Sequence, residues 1–531
     1  TAQPVSDLPA TRVKAVLLPA FDAGRLAGQI LHLLPDGAEI VTLDELRLPE
    51  AMLANPRTYL DPFNFATNFA FFRDVAQPGA SLHTRVVTAN YWAGYGAKDV
   101  RVWLCLFDAE GIRLAEWEEK APAGVGGIVI DSREVRRRFR LGDFTGQLFM
   151  HVLGALGHDV VKYALDVYGD RPQDLSCTHD ANAWPADFYA GLPAPKPGEK
   201  VVLWVQNSHP APIPPLGIGL NLMGSERVAG LTRAVPAFGS YPLDVAELLP
   251  EARWPQQIEI RAGKHIVRPR YEVMAADGRR RIAHPNVERV DLAPDPRIPE
   301  LANLMGKGYL LPAPVLPPER FRTLVLPTPM ATTQADLPLA LGIYDASGRE
   351  VASRFLGRLP RGHALSIDVN ELLSGASGTL ASGYGHLELH YDFRDGGGAD
   401  GWLHALVRYE DKRSGHAAET SFGAHIFNTV LTYKGEPQSY IGRPPGLSTR
   451  LFLRLGEGSL DTLCHLIYPA STPWHAFSDT LLSLNDREGT RIAERQLKIA
   501  CNGSALWRAS EMFAPGALRQ AAGGGYVLIR D

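Results

Sequence analysis

Cysteine is scarce in this chain: four in 531 residues, at Cys105, Cys177, Cys464 and Cys501, with no CxxC pair among them. That excludes a disulfide-stapled framework and a thiolate metal knuckle, and reduced structural thiols fit a cytoplasmic protein. Long apolar runs are also missing, and nothing approaches the ~20 residues of a membrane-spanning helix. The opening TAQPVSDLPATRVKAVLL has neither the basic n-region nor the longer apolar core of a signal peptide, so the expected location is cytoplasmic, an already cleaved leader aside. Neither sign of charge dominates: 54 Lys and Arg face 58 Asp and Glu, for a formal net charge of −4. This excludes a global attraction to nucleic acid or to an anionic membrane surface. There is no GxxxxGK[ST] phosphate loop, no dinucleotide fingerprint in a βαβ context, no HExxH and no GxSxG elbow. Long amphipathic helices are absent.

Turn-forming residues are plentiful, with 51 Gly and 41 Pro, which suits many short strands joined by tight connections. The length predicts about three to five domains. One stretch, Leu341–Leu373, sets out a grammar of strand, turn at Asp345-Ala-Ser-Gly348, returning strand, and then Asp368 three places before Glu371. The same spacing recurs. Asp108 precedes Asp131 by 23 residues, Asn221 precedes Asp244 by 23, and Asp345 precedes Asp368 by 23, each later Asp lying three before a Glu. A fourth version has Asp486 and Glu511, with Arg508 in place of the second Asp. Asp or Asn followed by Gly suits a hairpin turn. Asp-x-x-Glu ahead of an apolar pair suits a helix start whose free amides the carboxylates cap.

The expected fold is therefore all-β, a tandem array of about four related antiparallel β-sandwich-like units with a small N-terminal extension. The boundaries are 1–60 for the extension, 61–170 for unit one, 171–197 for a long linker or cover loop, and 198–292 for unit two. A Pro-rich linker spans 293–317, unit three spans 318–434, and unit four spans 435–531. Within the extension, Gly28–Leu43 reads as a hairpin turning at Pro35-Asp36-Gly37, with a βα reading that makes Ala23–Leu34 helical as its competitor. A short helix is expected around Leu43–Leu53.

Chemistry-bearing residues gather in unit three. His386, Glu388 and His390 alternate onto one strand face. A hairpin symmetric about Gly397 would set His390 opposite His404, and the next strand would bring His425 alongside. Such a row suits a divalent metal such as zinc or iron, with Glu388 as ligand or general base. Against it stands a solvent face of ordinary histidines, because a one-residue slip moves every side chain. In the long linker, His179 and Asp180 could act from a mobile cover over a pocket. Tyr91, Trp92, Trp184 and Tyr189 could stack on a flat ligand or serve as packing anchors. The arginine run Arg133 to Arg140 could meet a phosphate or carboxylate beside its cap, and reads ordinarily as a solvated helix face. The leading functional expectation is a binding or assembly protein recognising a small molecule, glycan or protein partner at inter-unit surfaces. Nucleic acid and a membrane span are not expected, and the sequence sets no oligomeric state. The alternative is a metal-dependent hydrolase, lyase or oxygenase built on the unit-three histidines.

Overall fold

The computed structural model describes residues 4–19, 23–42, 65–76, 81–156, 159–171, 174–296, 298–301, 311–376, 378–425, 432–433, 436–437, 450–456, 458, 460–468 and 476–530. The protein is mostly β, 47% strand against 12% helix, in many antiparallel sheets. The chain divides into a small unit, Thr1–Asn64, and a large one, Phe65–Asp531.

In the small unit, β1 (Ala15–Leu18) and β2 (Glu39–Thr42) pair in parallel, and α1 (Ala23–Ile30) with a 3-10 turn over Leu31–Leu33 makes the crossover. The hairpin expected over Gly28–Leu43 does not form; the helical competitor does. The reason is periodicity, since Leu26, Ile30 and Leu33 recur at helical spacing and a hairpin strand needs strict alternation. Pro35-Asp36-Gly37 ends the helical stretch instead, with Ala38 N–H donating to Pro35 O. The helix expected around Leu43–Leu53 lies outside the described residues.

The large unit repeats one strand order. In unit one, β3 (Phe65–Val75), β4 (Leu82–Ala89), β5 (Arg101–Phe107), β6 (Arg113–Lys120) and β7 (Gly127–Asp131) precede α2 (Ser132–Phe139). Then follow β8 (Phe144–Leu153), β9 (Tyr163–Gly169) and β10 (Ser176–Asp180). The strands pair as β3-β8-β5-β6 and β7-β4-β9-β10, and a short β3–β4 pairing joins the two halves at a corner.

Unit two has β11 (Phe188–Pro193), β12 (Glu199–Gln206), β13 (Gly219–Leu222), β14 (Ala229–Gly230), β15 (Ser240–Asp244), α3 (Val245–Leu248), β16 (Gln257–Arg261), β17 (Arg270–Ala275) and β18 (Arg280–Ala283). It pairs as β11-β16-β13-β14 and β15-β12-β17-β18, with β19 (Asn286–Glu288) added beside β11. After α4 (Ile298–Leu301), unit three has β20 (Leu311–Val315), β21 (Phe321–Thr328), β22 (Asp336–Asp345), β23 (Glu350–Pro360), β24 (Ile367–Asp368), α5 (Val369–Ser374), β25 (Gly385–Tyr391), β26 (Trp402–Asp411) and β27 (Ala417–His425). It pairs as β20-β25-β22-β23 and β24-β21-β26-β27, the same order again.

A two-strand ladder, β28 (Thr432–Tyr433) with β29 (Glu436–Pro437), precedes unit four. That unit has β30 (Arg450–Arg454), β31 (Leu463–Ile467), β32 (Thr480–Asn485), β33 (Arg491–Leu497), β34 (Ser504–Arg508), α6 (Ala509–Met512), α7 (Pro515–Ala521) and β35 (Tyr526–Arg530). Its sheets, β30-β35-β32-β33 and β31-β34, follow the order as far as the described strands go. Each unit packs apolar residues between its two sheets, for example Leu339, Leu341 and Ile343 against Val325, Ala405 and Val407 in unit three, and Val202, Trp204 and Ile282 of unit two join the unit-one cluster.

The repeated acids are turns and caps. Asp108 Oδ1 accepts from the amides of Glu110 and Ile112, and Asp345 Oδ1 from those of Ser347 and Arg349. Asp131, Asp244 and Asp368 are N-cap residues accepting from Arg133, Ala246 and Asn370 amides. At Arg508 the Glu511 carboxylate accepts the Arg508 amide instead.

The glycines ending the four turns, Gly111, Gly224, Gly348 and Gly489, all take positive φ, between 77° and 90°. Each abuts the backbone just before a strand of another unit (β15, β24, β34 and β7 in turn), so a β-carbon would clash: Gly111 with Ala237, Gly224 with Gly362, Gly348 with Cys501, and Gly489 with Val125. Unit one thus docks on two, two on three, three on four, and four back on one. Amide bonds reinforce three of the junctions: Ser240 N–H to Ala109 O at 2.9 Å, Ser504 N–H to Ala346 O at 3.1 Å, and Gly127 N–H to Arg487 O at 3.0 Å. These contacts close the four units into a ring, and the edge strands β10, β18 and β27 meet one another.

Candidate anion-binding cleft

Most of the site residues expected from sequence have structural surroundings. Strand β25 pairs with β20 and β22, whereas β26 pairs with β21 and β27. His390 and His404 therefore lie in different sheets, and the row of His390, His404 and His425 expected from a hairpin about Gly397 does not form. The loop after β25 crosses from one sheet of the sandwich to the other, which alternation alone does not reveal. His404 registers with Gly423, and His425 with Trp402. The His404 ring shares a 2.6 Å hydrogen bond with Ser421 Oγ, and burial first, then the Arg268 charge, push its pKa down to about 3. His386 and Glu388 do share a face, fully buried, with Nε2 and Oε1 3.4 Å apart and the Tyr344 ring stacked on His386. Among the described residues no group of three or more His, Cys, Asp and Glu is arranged to hold a metal ion.

Asp180 is buried and accepts from Arg270 Nη2 at 2.6 Å, with Arg268 3.8 Å away, so it neutralises two interior arginines. His179 sits on the exposed face of β10, edge-on to His284. Trp92 is fully buried in the unit-one core. Tyr91 hydroxyl donates to Val160 O and accepts from the Lys162 amide, closing the end of that core. Tyr189 is buried and donates to Ile266 O, while Trp184 is 54% exposed. The aromatics expected to stack on a ligand are thus packing anchors at Trp92 and Tyr189, because their rings fill hydrophobic volume.

A different place gathers chemistry. At the unit-one corner, Asp74 on β3 registers directly opposite His83 on β4. Asp74 Oδ2 lies 2.9 Å from His83 Nδ1 and accepts from Ser132 Oγ at 3.1 Å, while Oδ1 accepts from Arg136 Nη1 at 2.9 Å. Both residues of the pair are nearly buried, Asp74 at 1% exposure and His83 at 6%. A neutral imidazole whose Nδ1–H donates to Asp74 presents Nε2 as an acceptor. Ser132 Oγ is engaged by Asp74 and the Thr84 amide, so it supports the pair and does not stand as a nucleophile.

This pair opens into a cleft of about 500 Å³, lined also by Ser81, Arg133, Arg136, Arg137, Arg140 and Asp170. That volume falls in the usual range for small-molecule sites. Helix α2 supplies the arginine wall: Asp131 caps its start, Arg140 takes φ of 55° to end it, and Val135 buries its inner face. Arg136 is committed to Asp74 and Asp143. Among the described residues, Arg133, Arg137 and Arg140 have no carboxylate within ion-pair distance, in contrast to Arg138, which pairs with Glu119. The arginine run is visible in the sequence, whereas no motif marks Asp74, His83 or Asp170; cross-strand register alone makes the pair.

The corresponding helices of units two and three, α3 and α5, have four and six residues and no arginine. Turns and caps recur around the ring, whereas this cleft belongs to one unit.

No family model matches the chain, and no curated protein matches it. Among solved structures it is similar to one titled "Biofilm associated protein - BSP domain", at 8% identity over 84% of this chain and 91% of that one, with a TM-score of 0.12. Another is dimeric latent PorU from Porphyromonas gingivalis, at 9% identity over 76% of this chain and 37% of that one, with a TM-score of 0.14. Superposition that weak transfers no function.

Proposed function

We propose that this chain is a binding protein in which four related β-sandwich units, copies of one repeated plan, close into a scaffold, and the unit-one cleft takes an anionic ligand. The observation that carries this reading is the wall of Arg133, Arg137 and Arg140, three arginines lining a cleft with no carboxylate partner among the described residues. Unpaired arginines beside a partly buried acceptor pair suit planar recognition of phosphate, sulfate or carboxylate. The ligand class is a small molecule or glycan, within the unit and not between units.

The test is calorimetric titration of the full chain with small phosphate-, sulfate- and carboxylate-bearing molecules. Hydrogen bonds to charged groups contribute roughly 1.5–3 kcal/mol each, so Arg137→Ala is expected to weaken binding about tenfold or more. Rising salt weakens it further by screening. Equal affinity in wild type and in the Arg133→Ala/Arg137→Ala variant would overturn the reading, as would no binding of any anion.

A further inference from the structure

The cleft has two chemically opposite sides. Helix α2 and the turn after it bring cations, at Arg133, Arg137 and Arg140. The strand ends of β4 and β9 bring acceptors. His83 contacts Asp74 through Nδ1, and in the neutral ring its Nε2 is then an acceptor. Asp170 follows β9, is exposed, lines the cleft and accepts the Ser81 amide at 3.3 Å through Oδ2, so its carboxylate keeps acceptor lone pairs for a ligand. A bare inorganic anion is attracted by the first side and repelled by Asp170. A neutral polyol satisfies the second side and leaves the first unpaired. One molecule answers both when it carries an anionic group together with hydroxyls that donate to His83 and Asp170.

We infer that the ligand is a saccharide bearing one anionic group, a sugar phosphate or a uronate, with Asp170 the residue that selects the sugar. This rests on the anion-binding reading and deepens it. The acid or phosphate head lies against the arginines, and sugar hydroxyls donate to the Asp170 carboxylate and to His83 Nε2. Asp170 lies on the surface beyond the end of β9, so its replacement leaves the fold intact.

The experiment titrates the full chain with inorganic phosphate, glucose, glucose 6-phosphate and glucuronate, using wild type, Asp170→Asn and Arg137→Ala. In wild type, at least one anionic sugar is expected to bind ten times or more tighter than inorganic phosphate, and glucose weakest of all. Whether the tighter one is glucose 6-phosphate or glucuronate identifies the anionic group. Asp170→Asn is expected to weaken the anionic sugar severalfold while strengthening inorganic phosphate, because a repulsive charge is lost. Arg137→Ala is expected to weaken both. Should inorganic phosphate match the anionic sugars, or should Asp170→Asn strengthen all anions alike, the saccharide assignment is overturned and the anion cleft stands. Should Arg137→Ala leave every ligand unchanged, the anion-binding reading itself falls.

Discussion

Replacing Glu419 with Gln is expected to destabilise the junction of units two and three more than any surface change. Glu419 on β27 is fully buried; its Oε1 lies 2.7 Å from Arg281 Nε and 2.5 Å from Arg408 Nη2, and Oε2 accepts from Tyr271 hydroxyl at 2.7 Å. Arg408 makes an ion pair there without a well-aligned hydrogen bond, and its guanidinium lies 3.8 Å from the Trp254 ring centre. Burial by itself raises the Glu419 carboxyl, but Arg281 and Arg408 outweigh it and hold the pKa at about 2, against an ordinary 4.5. That gap is worth about 3 kcal/mol at neutral pH. Removing one partner of a buried ion pair costs roughly 3–5 kcal/mol, in agreement.

Because the folded-state pKa is depressed, the contribution is fully present above pH 4.5 and is lost as pH falls toward 2. Guanidinium unfolding followed by tryptophan fluorescence, with Trp254 as a local reporter, measures it at pH 7 and at pH 3. The wild-type and Glu419→Gln curves should differ by about 3 kcal/mol at pH 7 and converge toward acid. Glu199, 3.0 Å from Arg281, belongs to the same cluster, so replacing all four charges, Glu419→Leu and Glu199→Gln with Arg281→Met and Arg408→Met, should recover most of the loss, since neutral substitutes avoid the desolvation penalty. A Glu419→Gln variant within 1 kcal/mol of wild type at pH 7 would refute the reasoning.

Two other outcomes follow from the same kind of accounting. Glu288 is buried beside Glu259 with Arg361 between them, and burial first, then the Glu259 charge, raise its pKa above the carboxylate range. The folded chain then holds a proton that the unfolded chain releases, so stability declines as pH rises above about 4.5. Glu288→Gln should flatten that decline, which denaturant midpoints across pH 5–8 will show; an unchanged slope refutes it. Asp244→Ala removes an N-cap and a solvent-screened pair with Lys200 and should cost about 1 kcal/mol, whereas Asp131→Ala should cost more, because Asp131 also accepts from the half-buried Tyr168 hydroxyl at 2.7 Å. Equal losses at the two positions would contradict the extra bond.

What the sequence by itself determined is local. Asp followed by Gly, and Asp-x-x-Glu before an apolar pair, carry their turn and cap chemistry within a few residues, so those elements were legible unit by unit. The tertiary structure decided which strands pair. Whether β25 hydrogen-bonds to β26 or crosses to the opposite sheet depends on the path of a loop whose composition permits both, and that choice dissolved the expected histidine row. The N-terminal crossover needed only a correct period, and there the helical spacing of Leu26, Ile30 and Leu33 prevailed over a turn signal. The Asp74–His83 pair is the opposite case. Two residues nine apart became partners only because two strands met at a corner, and the arginines beside them gained a shared direction only from the cleft that α2 closes.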